Sequence, residues 1–365
     1  MSWIMLLIGL GLLAAGAEML VRGGSALAAR LGVSSLVIGL TIVAFGTSAP
    51  ELAVSAKAAL KGQSDIALGN VVGSNIFNVL FILGVSSLIT PLVVSQQLVR
   101  IDVPIMIGVS SIVFFMSLDG KLGKIDGVIL FAVFLAYTYL AIKIGKKESR
   151  QVEEEYEREF GEKKVTNDKS GKKILIQAAL ILGGLALLVL GARLFVDASI
   201  EVARSFGISE LVIALTIVAA GTSMPEVATS IMASIRGERD IAVGNVVGSN
   251  IFNLAAILGI SSLLAGPEGI RVSSAVFSFD LPVMIAVAGA CLPIFFTGHK
   301  ISRWEGGVFL LYYVLYVTYL ILKASAHDQL SLFSSTMILF VVPITVVTML
   351  VVYFQSRRNQ NEVQR

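Results

Sequence analysis

Charge is scarce in this chain. Only 15% of its 365 residues are Asp, Glu, Lys or Arg, against 56% hydrophobic residues. Soluble globular chains are typically about a quarter charged. A soluble fold of this length would have to bury almost all of itself, which no single core of this size does. Cysteine is nearly absent. The one copy, Cys291, lies in an apolar run, so no internal disulfide can form. The two histidines, His299 and His327, stand far apart, which argues against a metal cluster or a catalytic triad. The formal net charge of +3 is small. The basic residues are densest in one loop and the C-terminal tail, so they report orientation and give no sign of a nucleic-acid partner.

What the chain has is length of apolar sequence. Its mean hydropathy is +0.86, and a membrane-spanning helix needs about 20 mostly apolar residues. Such runs follow one another at 3–28, 34–60, 66–91, 102–118, 125–144, 173–200, 209–235, 241–265, 279–298, 303–323 and 331–354. The first resembles a signal peptide only superficially. It has no basic start, and residues 4–30 have a counterpart at 179–205, so it is expected to be a retained helix. Residues 146–172, dense in Glu, Lys and Arg, read as a solvated linker loop.

An internal repeat organises the chain. Residues 41–84 read TIVAFGTSAPELAVSAKAALKGQSDIALGNVVGSNIFNVLFILG, and residues 216–259 read TIVAAGTSMPEVATSIMASIRGERDIAVGNVVGSNIFNLAAILG. The offset is constant, and the shared positions include Thr, Ser, Pro, Glu, Asp and Asn, so apolar composition does not explain them. Asp102-Val103-Pro104 is echoed by Asp280-Leu281-Pro282. Five helices per repeat is an odd number, so the second copy enters the membrane from the opposite side, as in many secondary transporters. The expected fold is an all-α polytopic membrane protein. Residues 1–145 form one five-helix repeat and 173–325 its inverted twin. A further transmembrane helix follows at 330–354, then a basic tail at 355–365. Placing the linker and tail inside puts most of the 28 basic residues there. The positive-inside rule then gives an external N-terminus and a cytoplasmic C-terminus, in the cell's inner membrane.

Two polar strings interrupt the apolar helices of each repeat. One is Gly46-Thr47-Ser48-Ala49-Pro50-Glu51, with its twin Gly221-Thr222-Ser223-Met224-Pro225-Glu226. The other runs from Gly69-Asn70 to Ser74-Asn75-Ile76-Phe77-Asn78, with its twin from Gly244-Asn245 to Ser249-Asn250-Ile251-Phe252-Asn253. A proline gives no N–H to the carbonyl four residues back and displaces it. In a membrane the freed carbonyls must be taken up by protein, water or an ion. With the Thr and Ser hydroxyls and a glutamate one residue later, each string gathers oxygen ligands at a helix break. Calcium takes about six to eight such oxygens, and Glu51 and Glu226 together supply the charge that one calcium ion neutralises. Transition metals prefer His or Cys, which the strings lack. An intramembrane carboxylate costs about 3 kcal/mol even on insertion scales and marks function. Gly69, Gly73, Gly244 and Gly248 read mainly as helix-packing positions. Asp65 and Asp240 read as N-caps, and Glu18 with Arg22 and Arg193 with Asp197 as i,i+4 ion pairs. Asn75 and Asn250 read as interhelical hydrogen-bonders, with ion ligation left open.

GTSxPE followed by GNVVGSNIFN, present twice, resembles the alpha repeats of the calcium/cation antiporter superfamily, specifically its prokaryotic-type sodium/calcium exchangers. The likeness covers the chain to about residue 325. It implies alternating-access exchange of sodium for calcium, without a cofactor, at four clustered ion sites that a single chain completes. Carried over, the calcium site would use Glu51, Glu226 and the backbone carbonyls of Thr47 and Thr222. The sodium sites would use Ala44, Ser48, Ser74 and Asn78 with Ala219, Ser223, Ser249 and Asn253. Some relatives, including potassium-dependent exchangers, carry Asp where this chain has Asn253, which argues against potassium cotransport. The proton/calcium branch differs at the glutamate motif. A proton-coupled or less selective divalent antiporter is the alternative, and a cation channel a further one. No nucleophile–base pair suggests an enzyme.

Overall fold

A computed structural model describes residues 2–160, 171–296 and 298–346. The expected tail at 355–365, the end of the eleventh segment at 347–354 and linker residues 161–170 lie outside the described residues.

Among the described residues, eight helices are long and apolar enough to cross a membrane, and two bent pairs bring the total to ten. In chain order they are α1 (Ser2–Leu31), α2 (Ser35–Thr47 and Ala49–Leu60), α3 (Ser64–Ile89), α4 (Leu98–Asp119) and α5 (Lys124–Gly145). The second set is α6 (Ile174–Ser205), α7 (Glu210–Gly221 and Met224–Arg236), α8 (Arg239–Leu264), α9 (Val276–Phe296) and α10 (Arg303–Ala324). A shorter apolar helix, α11 (Leu330–Val346), follows. The α5 helix runs on to Phe160, so much of the expected linker loop is helical. Its Glu, Lys and Arg residues are strong helix formers.

The repeats are inverted, and glycine contacts along α1 and α6 show it. Gly9 lies against Gly191 and Phe195, Gly16 against Gly184 and Leu188, and Gly23 against Gln177 and Ile181. Numbers rise on one helix as they fall on the other, so these equivalent helices run antiparallel. A Cβ on Gly16 would fall 2.7 Å from the Gly184 carbonyl oxygen. Only small residues permit so close a seam, as membrane helices commonly use.

The core sits on α3 and α8. The apolar window of α8 is 100% buried and that of α3 72%, against 6% for α10. The GNVVGSNIFN strings therefore lie at the molecular centre. Trp3, Ile4, Leu7, Leu182 and Leu311 are exposed, as residues facing lipid would be.

Three local features go beyond the expected architecture. First, π-helical turns stand at equivalent places in both repeats: Gly39–Val43 and Ala214–Val218, Asn78–Leu83 and Asn253–Ile257, Leu98–Asp102 and Val276–Asp280. Such turns frequently mark functional positions. Second, the fold is not purely helical. Leu92–Val93 pairs with Lys300–Ile301, and Lys121–Leu122 with Ile270–Arg271. Both ladders join a loop of one repeat to a loop of the other, which satisfies backbone groups that no helix serves. Third, Tyr137 donates its hydroxyl to Asp102 at 3.0 Å, and Tyr316 donates to Asp280 at 2.9 Å. The echoed aspartates thus tie α4 to α5 and α9 to α10.

Candidate ion-binding site

α2 bends by 48° and α7 by 58°. The break falls at Ser48 in the first and at Thr222–Ser223 in the second. Each proline occupies the first turn of the second half-helix, where its missing N–H is no loss. Glu51 and Glu226 follow in the same turn and are fully buried. Each carboxylate thus stands at the positive end of a half-helix dipole. Thr47 and Thr222 stand at the C-terminal ends of the preceding half-helices, where carbonyls lose their in-helix partners.

Side chains at these breaks bond across the repeat boundary. Ser48 donates its hydroxyl to Glu226 Oε1 at 2.7 Å, and Ser223 donates to Glu51 Oε1 at 2.8 Å. Thr47 donates to Asn245 Oδ1 at 3.0 Å, and Thr222 to Asn70 Oδ1 at 3.2 Å. The same asparagines then reach back within their own repeat. Asn70 Nδ2 donates to Ser55 Oγ at 2.9 Å and to the Glu51 carbonyl at 3.3 Å. Asn245 Nδ2 donates to Ser230 Oγ at 3.0 Å and to the Glu226 carbonyl at 3.4 Å. These two asparagines clamp the half-helices that carry the glutamates, a role that helical periodicity does not reveal.

Lower along α3 and α8, Asn78 Nδ2 donates to Asn250 Oδ1 at 3.0 Å, and Asn253 Nδ2 to Asn75 Oδ1 at 3.0 Å. Asn75 and Asn250 are the interhelical hydrogen-bonders that their sequence suggests. Ser74 Oγ lies 3.0 Å from Ser223 Oγ, and because the one hydroxyl hydrogen of Ser223 goes to Glu51, Ser74 is the donor there.

Five buried atoms of this cluster have no hydrogen-bond partner among the described residues: Glu51 Oε2, Glu226 Oε2, Asn78 Oδ1, Asn253 Oδ1 and Ser249 Oγ. Leaving one buried polar group unsatisfied costs about 1–3 kcal/mol. A group of oxygens, four of them acceptors only, is suited to a hard cation. Among the described residues, no three His, Cys, Asp or Glu side chains gather as metal ligands. The charge in the cluster comes from the two glutamates.

The structure thus brings together Ser48, Glu51, Ser74, Asn78, Ser223, Glu226 and Asn253, with Ser249 buried beside Asn250 on α8. The two alanines differ. Ala44 is buried and its carbonyl accepts the Ser48 N–H at 3.1 Å, whereas Ala219 is exposed. The glycines differ as well. A Cβ on Gly248 would lie 2.6 Å from the Leu40 carbonyl oxygen, and one on Gly244 would lie 3.1 Å from Leu36, but at Gly69 and Gly73 it would meet nothing within 4 Å. Only the second-repeat pair packs against a helix here.

Asp65 and Asp240 lie inside the first helical turn, with Gln63 and Glu238 at the caps; there they complement the helix dipole without capping. Glu18 pairs with Arg22 and also with Arg236 at the end of α7. Among the described residues no ion pair joins Arg193 to Asp197, and both are exposed.

Comparison with known proteins agrees with this geometry. The sodium/calcium exchanger protein family matches residues 1–143 and 176–322. The inner membrane protein YrbG of Escherichia coli is 36% identical over 286 residues, covering 78% of this chain and 85% of its own length. The sodium/calcium exchanger MaX1 of Methanosarcina acetivorans is 34% identical over 347 residues, covering 87% of this chain and 98% of its own length. The solved structure of the sodium-calcium exchanger NCX_Mj superposes with a TM-score of 0.73 at 30% identity, covering 87% of this chain and 98% of that one. The match to the family ends before α11. Inverted repeats, broken helices and matched sequence together place this multi-pass membrane protein among cation antiporters, and it belongs to the sodium/calcium exchanger family.

Proposed function

We propose that this antiporter exchanges sodium for calcium by alternating access, and that Glu51 and Glu226 hold the calcium ion. The observation that carries the reading is the set of buried oxygens without protein partners, Glu51 Oε2, Glu226 Oε2, Asn78 Oδ1 and Asn253 Oδ1. Two carboxylates neutralise one calcium ion, and the Thr47 and Thr222 carbonyls add neutral oxygens at the helix ends. Sodium takes the flanking positions made by Ala44, Ser48, Ser74 and Asn78 with Ala219, Ser223, Ser249 and Asn253. Names of the similar proteins favour these two ions.

Asymmetry between the two broken helices supports alternation. Nine residues of the first half of α2 are buried, from Leu36 to Thr47, and Gly244 and Gly248 of α8 press against it. In the first half of α7 only Ile213 and Gly221 are buried, and Gly69 and Gly73 of α3 face open space. Equivalent sequences thus hold one tightly packed and one loosely packed half-helix beside the same buried glutamates. Exchanging those two packings would loosen the opposite side of the site in turn. With the charged linker inside, the loosely packed side faces outward.

Calcium uptake into proteoliposomes tests the reading, with sodium and pH gradients imposed separately. Uptake should follow the sodium gradient at fixed pH. Uptake that follows only the pH gradient would transfer the assignment to a proton-coupled exchanger. Calcium flux without any counter-ion would indicate a channel.

A further inference from the structure

Asn75 and Asn250 lie between the repeats, and their bonding determines which end of the neighbouring amides faces the ion site. Asn250 Nδ2 lies 3.3 Å from the backbone carbonyl oxygen of Asn75. A carbonyl oxygen can only accept, so the nitrogen of Asn250 must point there. Its Oδ1 is then turned toward Asn78, and the group of Asn78 that meets it at 3.0 Å must be a donor, Nδ2. The one remaining polar atom of Asn78 is Oδ1, buried and without a protein partner. The mirror chain is complete. Asn75 Nδ2 donates to the Asn250 carbonyl at 3.2 Å, and Asn75 Oδ1 accepts from Asn253 Nδ2 at 3.0 Å. Asn253 Oδ1 is left without a partner. The second N–H of each central asparagine faces a sulfur from the helix outside the pair. Asn250 lies 3.6 Å from Met106 Sδ on α4, and Asn75 lies 3.9 Å from Met284 Sδ on α9.

We infer that Asn75 and Asn250 are positioning residues. Each orients the ligand amide of Asn253 or Asn78 so that oxygen, and not N–H, faces the cation. The orientation originates in a backbone carbonyl of the opposite repeat, so it is held only while α3 and α8 keep their register. An amide turned by half a revolution would offer hydrogens to a cation, and the site would lose a ligand and gain a repulsion. Asparagine suits the relay because it carries a donor and an acceptor at one end. Aspartate offers no donor, and leucine offers neither.

The inference rests on the proposed reading of Asn78 and Asn253 as ion ligands, and a double-mutant cycle separates the two claims. Sodium-dependent calcium exchange is measured in proteoliposomes for Asn78→Ala, Asn250→Ala and the double variant, with the melting temperature of each. Each single substitution is expected to raise the half-saturating sodium concentration about tenfold, the scale of one lost bond to an ion. The double variant is expected to be no worse than either single one, because Asn250 acts through Asn78. A roughly hundredfold rise in the double variant, the sum of independent effects, would overturn the inference. A normal sodium requirement in Asn250→Ala beside a raised one in Asn78→Ala would also overturn it, while leaving the site reading intact. A normal requirement in Asn78→Ala would overturn both. A merely structural role would lower the melting temperature of Asn250→Ala without moving the sodium requirement. Should Asn250→Ala fail to fold, Asn75→Ala with Asn253→Ala carries the same cycle on the mirror chain.

Discussion

Ser223 donates its hydroxyl to Oε1 of Glu51 at 2.8 Å, so a side chain of the second repeat orients the carboxylate of the first. Ser48 does the same for Glu226. Each glutamate is therefore covalently part of one repeat and hydrogen-bonded to the other. A relative movement of the repeats cannot leave either carboxylate where it was, which couples the shape of the proposed ion site to the packing of the helices around it.

Removing these hydroxyls should weaken calcium binding unequally. A hydrogen bond to a charged group contributes about 1.5–3 kcal/mol, roughly ten- to a hundredfold in affinity. Ser48 makes one side-chain bond, to Glu226, while Ser223 bonds both Glu51 and Ser74. Ser223→Ala should therefore raise the half-saturating calcium concentration more than Ser48→Ala. A larger effect in Ser48→Ala would contradict the assigned geometry.

Glu51→Gln and Glu226→Gln should each abolish calcium exchange while the protein still folds. The amide is nearly isosteric, and it removes half of the negative charge opposing a divalent ion. In the unmodified protein, three sodium ions facing two carboxylates leave one net positive charge, whereas one calcium ion leaves none. Three-to-one exchange should then carry current across a proteoliposome membrane. Normal calcium exchange in either variant would remove that glutamate from the site, and exchange without current would rule out that ratio.

Two glycines offer a test of alternation. Gly248 packs against Leu40 in this conformation, whereas a Cβ on its equivalent, Gly73, would meet nothing within 4 Å. If the two packings exchange during transport, Gly73→Ala should fold and bind calcium normally yet slow exchange several-fold, because its methyl group clashes only in the opposite state. Gly248→Ala should disfavour the present state. It should expose residues of the first half of α2, such as a cysteine placed at Leu40, to a water-soluble thiol reagent. The native Cys291 is buried, and it is replaced in that experiment. Full exchange rates in Gly73→Ala would show that this face of α3 never packs closely.

The sequence displays the glutamates because three signals coincide at Glu51 and Glu226: an apolar setting, a preceding proline and an internal copy. The repeat also makes Ser48, Ser74 and Asn78 visible beside their twins. The pairings between repeats are not visible, since Thr47 and Asn245 are 198 residues apart and only the antiparallel approach of the repeats joins them. The π-helical turns are hidden for another reason. Each shifts the helical phase by one residue, which apolar periodicity in a membrane helix is too uniform to register. The difference in packing between the two half-helices is hidden too, because nearly identical strings occupy both. Asp102 and Tyr137 are an intermediate case. Each has a twin at a similar offset, so the repeat carries the signal, but 35 residues separate them and nothing in the local sequence connects them.

That last pair gives a stability prediction in which the two repeats should differ. Asp102 is fully buried and Tyr137 is 5% exposed, whereas Asp280 and Tyr316 are half-buried. Tyr137→Phe removes a donor from a fully buried carboxylate, and Tyr316→Phe removes one from a partly buried carboxylate that has the Lys323 ammonium nearby as a substitute. Losing a bond to a buried charged group costs about 1.5–3 kcal/mol, and a replaceable bond less. Tyr137→Phe should therefore lower the melting temperature in detergent more than Tyr316→Phe. Both should leave the half-saturating calcium concentration unchanged, since neither residue is in the ion cluster. A shift in calcium affinity with Tyr137→Phe would mean that the α4–α5 tie reaches the ion site. The route available is one helical turn along α4, from Asp102 to Met106, whose sulfur faces Asn250.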